Sequence, residues 1–251
     1  MKSYIPNLFT LLNLFSGCIG VLFATQSNFL MAAIFVFLGI FFDFFDGLLA
    51  RKLRVQSELG IQLDSLADMV TSGLVPGIVM FKLLSESIGS SGESPAAGWV
   101  SDTMFIGFEF PLLPLVGLFI TLASCYRLAK FNIDEEQQSY FKGLPTPANA
   151  LFILSLPLLL YFQPNENIEA LISNTWVLLA LTAFSCYILN ADVKLFALKF
   201  KGTGFSENKV RYLFIVLCVI LLLALKFIAI PIIIILYIVI SILDSYILNK
   251  P

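Results

Sequence analysis

The chain has 251 residues, of which 59% are apolar and 13% charged, with a net charge of −2 and a mean hydropathy of +0.92. Soluble domains carry about 25% charged residues, so this composition implies an integral membrane protein, and the near-neutral balance gives no reason to expect nucleic acid as a partner. Histidine is absent. That removes Ser-His and Cys-His nucleophile pairs, His-ligated zinc and an imidazole base, leaving polar chemistry to carboxylates, Arg, Lys, Tyr, Ser and Thr.

The N-terminal MKSYIPNLFTLLNLFSGCIGVLFA is a long apolar run carrying Asn7, Thr10 and Asn13, with no A-x-A site. It reads as a first spanning helix rather than a signal peptide. At about 20 mostly apolar residues per crossing, the chain contains about eight spanning segments: 5–25, 28–50, 61–83, 104–128, 147–163, 172–190, 210–228 and 230–248. The expected fold is an all-α integral membrane bundle. It forms one domain over 1–251, with catalytic core helices in 1–163 and additional helices in 164–251. The last two segments are joined by a tight turn between Lys226 and Pro231.

The distribution of positive charge fits this count. Of the 15 Lys and Arg residues, all but Lys82 and Lys226 fall on one side of such a bundle. The two exceptions are expected at helix ends, where they can snorkel. The basic side faces the cytoplasm. Both termini are therefore expected there, with the protein in the cell membrane. The Ser/Gly-rich loop 85–103 is expected to be a flexible external connection. The basic loop 191–209 is either an ordinary cytoplasmic loop or a segment lying on the anionic leaflet. Cys18, Cys125, Cys186 and Cys218 lie far apart in apolar segments with no CxxC, and read as small buried hydrophobes.

Chemistry concentrates in residues 43–68, DFFDGLLARKLRVQSELGIQLDSLAD. Asp43 and Asp46 are spaced i, i+3 at the end of the second segment. Gly47 and Ala50 follow on the same side, and Arg51 lies one turn beyond Gly47. Gly60, Asp64 and Asp68 are spaced i, i+4, i+8 on the next helix. The short connection predicts two antiparallel neighbours whose four carboxylates converge just inside the cytoplasmic surface. Ionisable groups within spanning segments are costly and are functional candidates. Four carboxylates in a low-dielectric site repel unless a cation balances them. An all-oxygen ligand set favours Mg²⁺ or Mn²⁺, and this density of carboxylates suits two ions of the kind that bind substrate phosphates. Gly47 and Ala50 leave room beside the helix, and Arg51 offers a fork for phosphate oxygens.

The spacing Asp43, Asp46, Gly47, Ala50, Arg51, eight residues, Gly60, Asp64, Asp68 resembles the signature of the CDP-alcohol phosphotransferase family. That resemblance implies a spanning-helix bundle, often dimeric, acting on a CDP-linked lipid. An acceptor hydroxyl attacks the phosphorus bonded to the lipid, CMP leaves, and no ATP is needed. Asp43, Asp46 and Asp64 would take metal roles, with Asp68 serving as metal ligand, catalytic base or both. Gly47, Ala50, Arg51 and Gly60 would line the CDP-lipid site.

The stretches IPNLFTLLNLFSGCIGVLFA and YRLAKFN…YFKGLPTPANA resemble the membrane-embedded, serine-accepting class of the family, which implies CDP-diacylglycerol and L-serine as substrates. The unrelated serine class similar to phospholipase D needs catalytic histidines and is excluded. Lys130 stands where many relatives carry Arg. Arg127 suits a carboxylate, and with Lys130 and Asn132 forms the expected serine-binding element. For the two cations, a positive-inside anchor is the alternative. Asp134, Glu135 and Glu136 either attract the serine ammonium or are simply solvated. Asn7 and Thr10 either bind cytidine or stitch helices together. In GLPTP, Gly143 to Pro147, Thr146 is expected to cap the next helix, and a substrate-shaping role stays open. Glycerol 3-phosphate or inositol phosphate as acceptor is the nearest alternative, although a phosphorylated acceptor would want more clustered Arg. A non-enzymatic cation transporter and a prenyl-diphosphate enzyme follow in that order.

Overall fold

The computed structural model describes residues 4–90, 112–134, 140–196 and 209–248. Helices α1 (Tyr4–Thr25) and α2 (Phe29–Leu53) pack along one another, and Asn28 caps α2 by accepting from the Met31 N–H at 3.2 Å. Arg54 ends α2 in the left-handed region at φ 55°. Ser57 then starts α3 (Glu58–Asp68) by accepting from the Gly60 N–H at 3.1 Å. These two caps fix the turn between the halves of the acidic motif. α3 runs directly into a π-helical turn, Met69–Leu74, and then α4 (Val75–Ser90).

A 3₁₀ turn, Leu113–Leu118, leads into α5 (Phe119–Ile133). Then come β1 (Tyr140–Lys142), α6 (Thr146–Phe162), α7 (Glu166–Ile172), α8 (Thr175–Asn190) and β2 (Lys194–Phe196). The chain closes with α9 (Lys209–Leu225), a 3₁₀ turn at Lys226–Ile228 and α10 (Ala229–Leu248).

The rods alternate in direction. At one end of the bundle, Ser87 of α4 hydrogen-bonds Thr175 of α8 at 2.9 Å. There too, Gln163 Oε1 beyond α6 accepts from the Ile228 N–H at 3.0 Å, and Phe162 stacks on Phe227 at 4.2 Å. At the other end lie the Arg54–Ser57 turn, the C-terminus of α5 and the β-ribbon. Asn132 of α5 reaches Ser65 and Gln62 of α3 there, at 3.0 and 3.4 Å.

Among the described residues, five stretches are long and apolar enough to cross a membrane: Tyr4–Thr25, Phe29–Leu53, Glu58–Gly89, Leu113–Ile133 and Arg211–Leu243. The α7–α8 pair, bent by 67°, makes a sixth if it is one span. The eight expected segments differ from this count at α6, which has 17 residues, and at Arg211–Leu243, which length alone scores as one stretch. That stretch folds back on itself. Lys226 turns it at φ 53°, and the rings of Phe214 and Tyr237 lie 5.8 Å apart, where one straight helix at about 1.5 Å per residue would hold them roughly 35 Å apart.

The bundle is apolar outside as well as inside. Val36, Val75, Val79, Met80, Leu84 and Ile153 are fully buried, whereas Phe15, Phe37, Leu122 and Trp176 stand exposed on its surface. In water such a surface would be untenable; in a bilayer it is the expected one.

The bundle is helical as expected, with one short ribbon: β1 and β2 pair antiparallel, with Phe141 opposite Leu195, because extended connections must still pair their backbone polar groups. In the basic 191–209 loop, Lys194–Phe196 supplies one of these strands, and 197–208 lie outside the described residues. Three expectations are corrected here. Residues 85–90 continue α4, which places Lys82 two turns inside the helix rather than at its end; the rest of the 85–103 loop lies outside the described residues. Cys18 and Cys125 are exposed on the outside of the bundle, where an apolar exterior suits a thiol as well as the core does; Cys186 and Cys218 are half-buried, and all four are free. Thr146 does not cap α6: Pro145 occupies the cap position, and the Thr146 hydroxyl is buried without a partner.

Candidate active site

α1 supplies the back wall of the site. Asn7, Thr10 and Asn13 recur every three residues and so share a face, and α1 packs against both α2 and α3. α2 and α3 lie on either side of a cleft between the motif's two halves: their backbones meet at few points, with α2 meeting the chain again at the π-turn, while carboxylates from both face one another.

Into that cleft come Asp43 from α2 and Asp64 and Asp68 from α3. One carboxylate oxygen from each lies within 4.8 Å of the others. Asp43 and Asp64 are half-buried and Asp68 is buried. Asp64 Oδ1 is shut off from solvent without a hydrogen-bond partner. Among the described residues no Lys or Arg forms an ion pair with any of the three. Three like charges this close need a cation, and three oxygen donors fit a hard divalent ion after a small contraction. Asp46 is turned differently. It is buried and accepts from the Thr10 hydroxyl at 2.6 Å. The structure thus brings together three of the four expected metal-ligating carboxylates and ties the fourth to α1.

The expected CDP-lipid residues lie around the cleft mouth. A methyl group on Gly47 would meet nothing closer than the Arg51 guanidinium at 4.0 Å, so that face of α2 is open. Ala50 is half-buried and Arg51 exposed on the last turn of α2. Gly60 faces Asn7, whose side-chain oxygen would lie 3.5 Å from an added Cβ. Thr10 is engaged with Asp46, a contact that joins α1 to α2.

The expected serine element divides. Thr121, Ser124 and Arg127 share one face of α5. Thr121 Oγ1 donates to Gly73 O at 3.1 Å, Ser124 packs on Gly73, and Arg127 lies within electrostatic reach of Asp68. Arg127 is 7% exposed, and its Nε has no hydrogen-bond partner. Its guanidinium carbon sits 5.9 Å from the Phe131 ring centroid. A buried guanidinium with a free donor, beside an acidic site, is poorly explained as a membrane-surface anchor. Lys130 lines a small pocket together with Arg127, Phe131 and Lys142, and pairs at 3.4 Å with exposed Asp192, a contact worth little. Asn132 ties α5 to α3 through Ser65 and Gln62. Asp134 pairs with Lys142 at 2.8 Å; Glu135 and Glu136 lie outside the described residues.

Two features of the candidate site escaped the sequence. One is Asn13, fully buried, whose amide donates to Asp68 Oδ1 at 3.1 Å. Its spacing after Asn7 and Thr10 was a usable signal. The other is the π-turn that starts at Met69, directly after Asp68. No spacing rule marks it, although such turns concentrate at functional sites.

A helical membrane protein with an acidic cleft near one end, able to hold a divalent cation, is the class these features define. Residues 3–187 match the family model for CDP-alcohol phosphatidyltransferase. The chain belongs to that family of phosphotransferases. Among its relatives is CDP-diacylglycerol–serine O-phosphatidyltransferase of Bacillus subtilis (strain 168), 33% identical over 154 residues, or 61% of this chain and 75% of the relative. The protein of that name from Helicobacter pylori (strain ATCC 700392 / 26695) is 29% identical, covering 72% of this chain and 69% of its own. Archaetidylserine synthase of Methanothermobacter thermautotrophicus is 29% identical, covering 60% and 56%.

Proposed function

We propose that this protein transfers the phosphatidyl group of CDP-diacylglycerol to the hydroxyl of L-serine, giving phosphatidylserine and CMP. The observation that carries the reading is the convergence of Asp43, Asp64 and Asp68 in a cleft beside a buried, incompletely paired Arg127. The names of the relatives support serine as the acceptor, whichever lipid they use.

Asp43, Asp64 and Asp68, with Asp46 beside them, would hold two Mg²⁺ or Mn²⁺ ions. Bound there, the ions would neutralise the pyrophosphate and the departing CMP. The open face at Gly47 and Ala50 admits the CDP moiety, and Arg51 takes phosphate oxygens. Arg127 receives the serine carboxylate, with Lys130 and Asn132 at the edge of that subsite. Asp68 takes the hydroxyl proton as the serine oxygen attacks the phosphorus bonded to the lipid. The new P–O bond forms as the bond to CMP breaks, and CMP leaves with that bond's electron pair.

The alternating rods support eight crossings of the cell membrane, with both termini and the acidic cleft on the cytoplasmic side. Serine then arrives from water while the acyl chains stay in lipid. A homodimer accords with the family resemblance.

The test is CMP release by purified protein in detergent with CDP-diacylglycerol and Mn²⁺ or Mg²⁺, comparing L-serine, glycerol 3-phosphate, inositol phosphate and no acceptor. Release that requires serine and disappears with EDTA supports the reading. Release that requires another acceptor overturns the role of Arg127, and no release with any acceptor overturns the transferase assignment.

A further inference from the structure

We infer that Asn13 is the positioning residue for Asp68, holding one carboxylate oxygen so that the other is presented to the cleft. The inference rests on the role proposed above for Asp68. Asn13 Nδ2 donates to Asp68 Oδ1 at 3.1 Å, and Asp68 Oδ2 accepts no hydrogen bond from the described residues. Asn13 is fully buried and Asp68 is 8% exposed, so water does not compete for that amide.

Three features distinguish this amide from one used for packing. Asn13 Oδ1 is buried and has no partner. A structural amide satisfies both ends, whereas here the acceptor is left unpaired and the donor is given to Asp68. Reversing the amide would set its oxygen against the carboxylate, so the charge on Asp68 fixes which end faces it. The position of α1 does not depend on this side chain either. Thr71 Oγ1, in the π-turn, donates to the Asn13 backbone carbonyl at 3.1 Å. Asn13 is therefore anchored through its backbone to the very turn that begins after Asp68.

The approach is made close by small residues. A methyl on Gly39 would come within 2.6 Å of Thr71 Cγ2 and 2.8 Å of Asn13 Oδ1. Asp43 lies one turn beyond Gly39 on α2. The Asn13 amide thus bridges the two helices that carry the carboxylates, contacting Asp68 on one side and the surface below Asp43 on the other. Rotation of Asp68 about its side-chain bonds is the freedom this arrangement removes, and a misplaced first-row ligand or base is costly to turnover.

The experiment compares wild type, Asn13→Ala and Asn13→Asp, each first checked by melting temperature in detergent. Asn13→Asp keeps the shape and puts an acceptor where the amide donates. Two readouts are taken: kcat and KM for serine-dependent CMP release, and Mn²⁺ affinity by electron paramagnetic resonance without substrate. Both variants should lose about 10- to 100-fold in kcat with KM for serine within about twofold of wild type, and Asn13→Ala should bind Mn²⁺ about 10-fold more weakly. A folded Asn13→Asp with wild-type kcat, or a folded Asn13→Ala with unchanged Mn²⁺ affinity, overturns the role. If wild type itself releases no CMP with serine, the acceptor assignment fails, and the Mn²⁺ readout still decides whether Asn13 positions Asp68.

Discussion

Thr10 Oγ1 lies 2.6 Å from Asp46 Oδ2, joining α1 to the acidic motif thirty-six residues away. Thr10 also sits 3.2 Å from the Pro6 carbonyl, but its single proton satisfies one acceptor at a time, and the shorter, charge-assisted contact to the carboxylate is the stronger. Thr10→Val keeps the shape and removes the donor. Asp46 then loses its orienting partner, and Mn²⁺ affinity or turnover should fall about 10-fold, with Thr10→Ser restoring most of it. Wild-type values in a folded Thr10→Val protein would detach this pair from the site.

The three converging carboxylates give the sharpest expectation. Asp43→Asn, Asp64→Asn and Asp68→Asn each keep the volume and remove a charge. Each should reduce CMP release by at least about 100-fold while leaving the fold intact, since relief of like-charge repulsion helps the apo protein. EDTA should abolish wild-type turnover, and Mn²⁺ should raise the wild-type melting temperature but not that of the variants. Near-normal CMP release by Asp68→Asn would remove that residue from catalysis.

Arg127 makes a separate claim, because it is expected to act on one substrate alone. Arg127→Gln should raise KM for serine by about 10- to 100-fold, the scale of a lost hydrogen bond to a charged group, with little change in KM for CDP-diacylglycerol. Arg127→Lys keeps the charge but loses the fork and should recover part of the loss. Lys130→Gln should have a small effect, because Lys130 pairs with exposed Asp192. Equal effects at the two positions would return Arg127 to the status of a membrane-surface anchor.

The acidic motif was legible because its period matches a helix and its charges have no other reason to lie in apolar sequence. The converging set, however, turned out to be Asp43, Asp64 and Asp68, since spacing cannot foresee that a hydroxyl on another helix draws Asp46 aside. Five or six of the eight expected crossings were legible from hydropathy among the described residues; the sparse backbone contact between α2 and α3 was not, because a short connection limits distance but not angle. The β-ribbon escaped for a different cause. Three-residue strands carry too little pattern to register, and Tyr140–Lys142 and Lys194–Phe196 meet only once the helices have brought them together. Asn13 was singled out merely as a polar residue in the first spanning segment, since its partner lies fifty-five residues further on.

Two glycines of α2 separate packing from ligand access. Gly39 is enclosed: an added methyl would lie 2.6 Å from Thr71 Cγ2 and 2.8 Å from Asn13 Oδ1. Gly39→Ala should cost about 1–3 kcal/mol, lower the melting temperature and lower activity with it, because neither neighbour is free to retreat. Gly47 is open, with the Arg51 guanidinium at 4.0 Å as its nearest neighbour. Gly47→Ala should keep the wild-type melting temperature or raise it slightly, since alanine is the better helix former by about 1 kcal/mol. If CDP lies against this face, the same methyl must raise KM for CDP-diacylglycerol, and a larger side chain in Gly47→Leu must raise it further while serine KM holds. A stable Gly47→Leu with unaltered kinetics would place the nucleotide elsewhere, whereas loss of activity without loss of stability identifies the bare helix face as a surface kept clear for substrate.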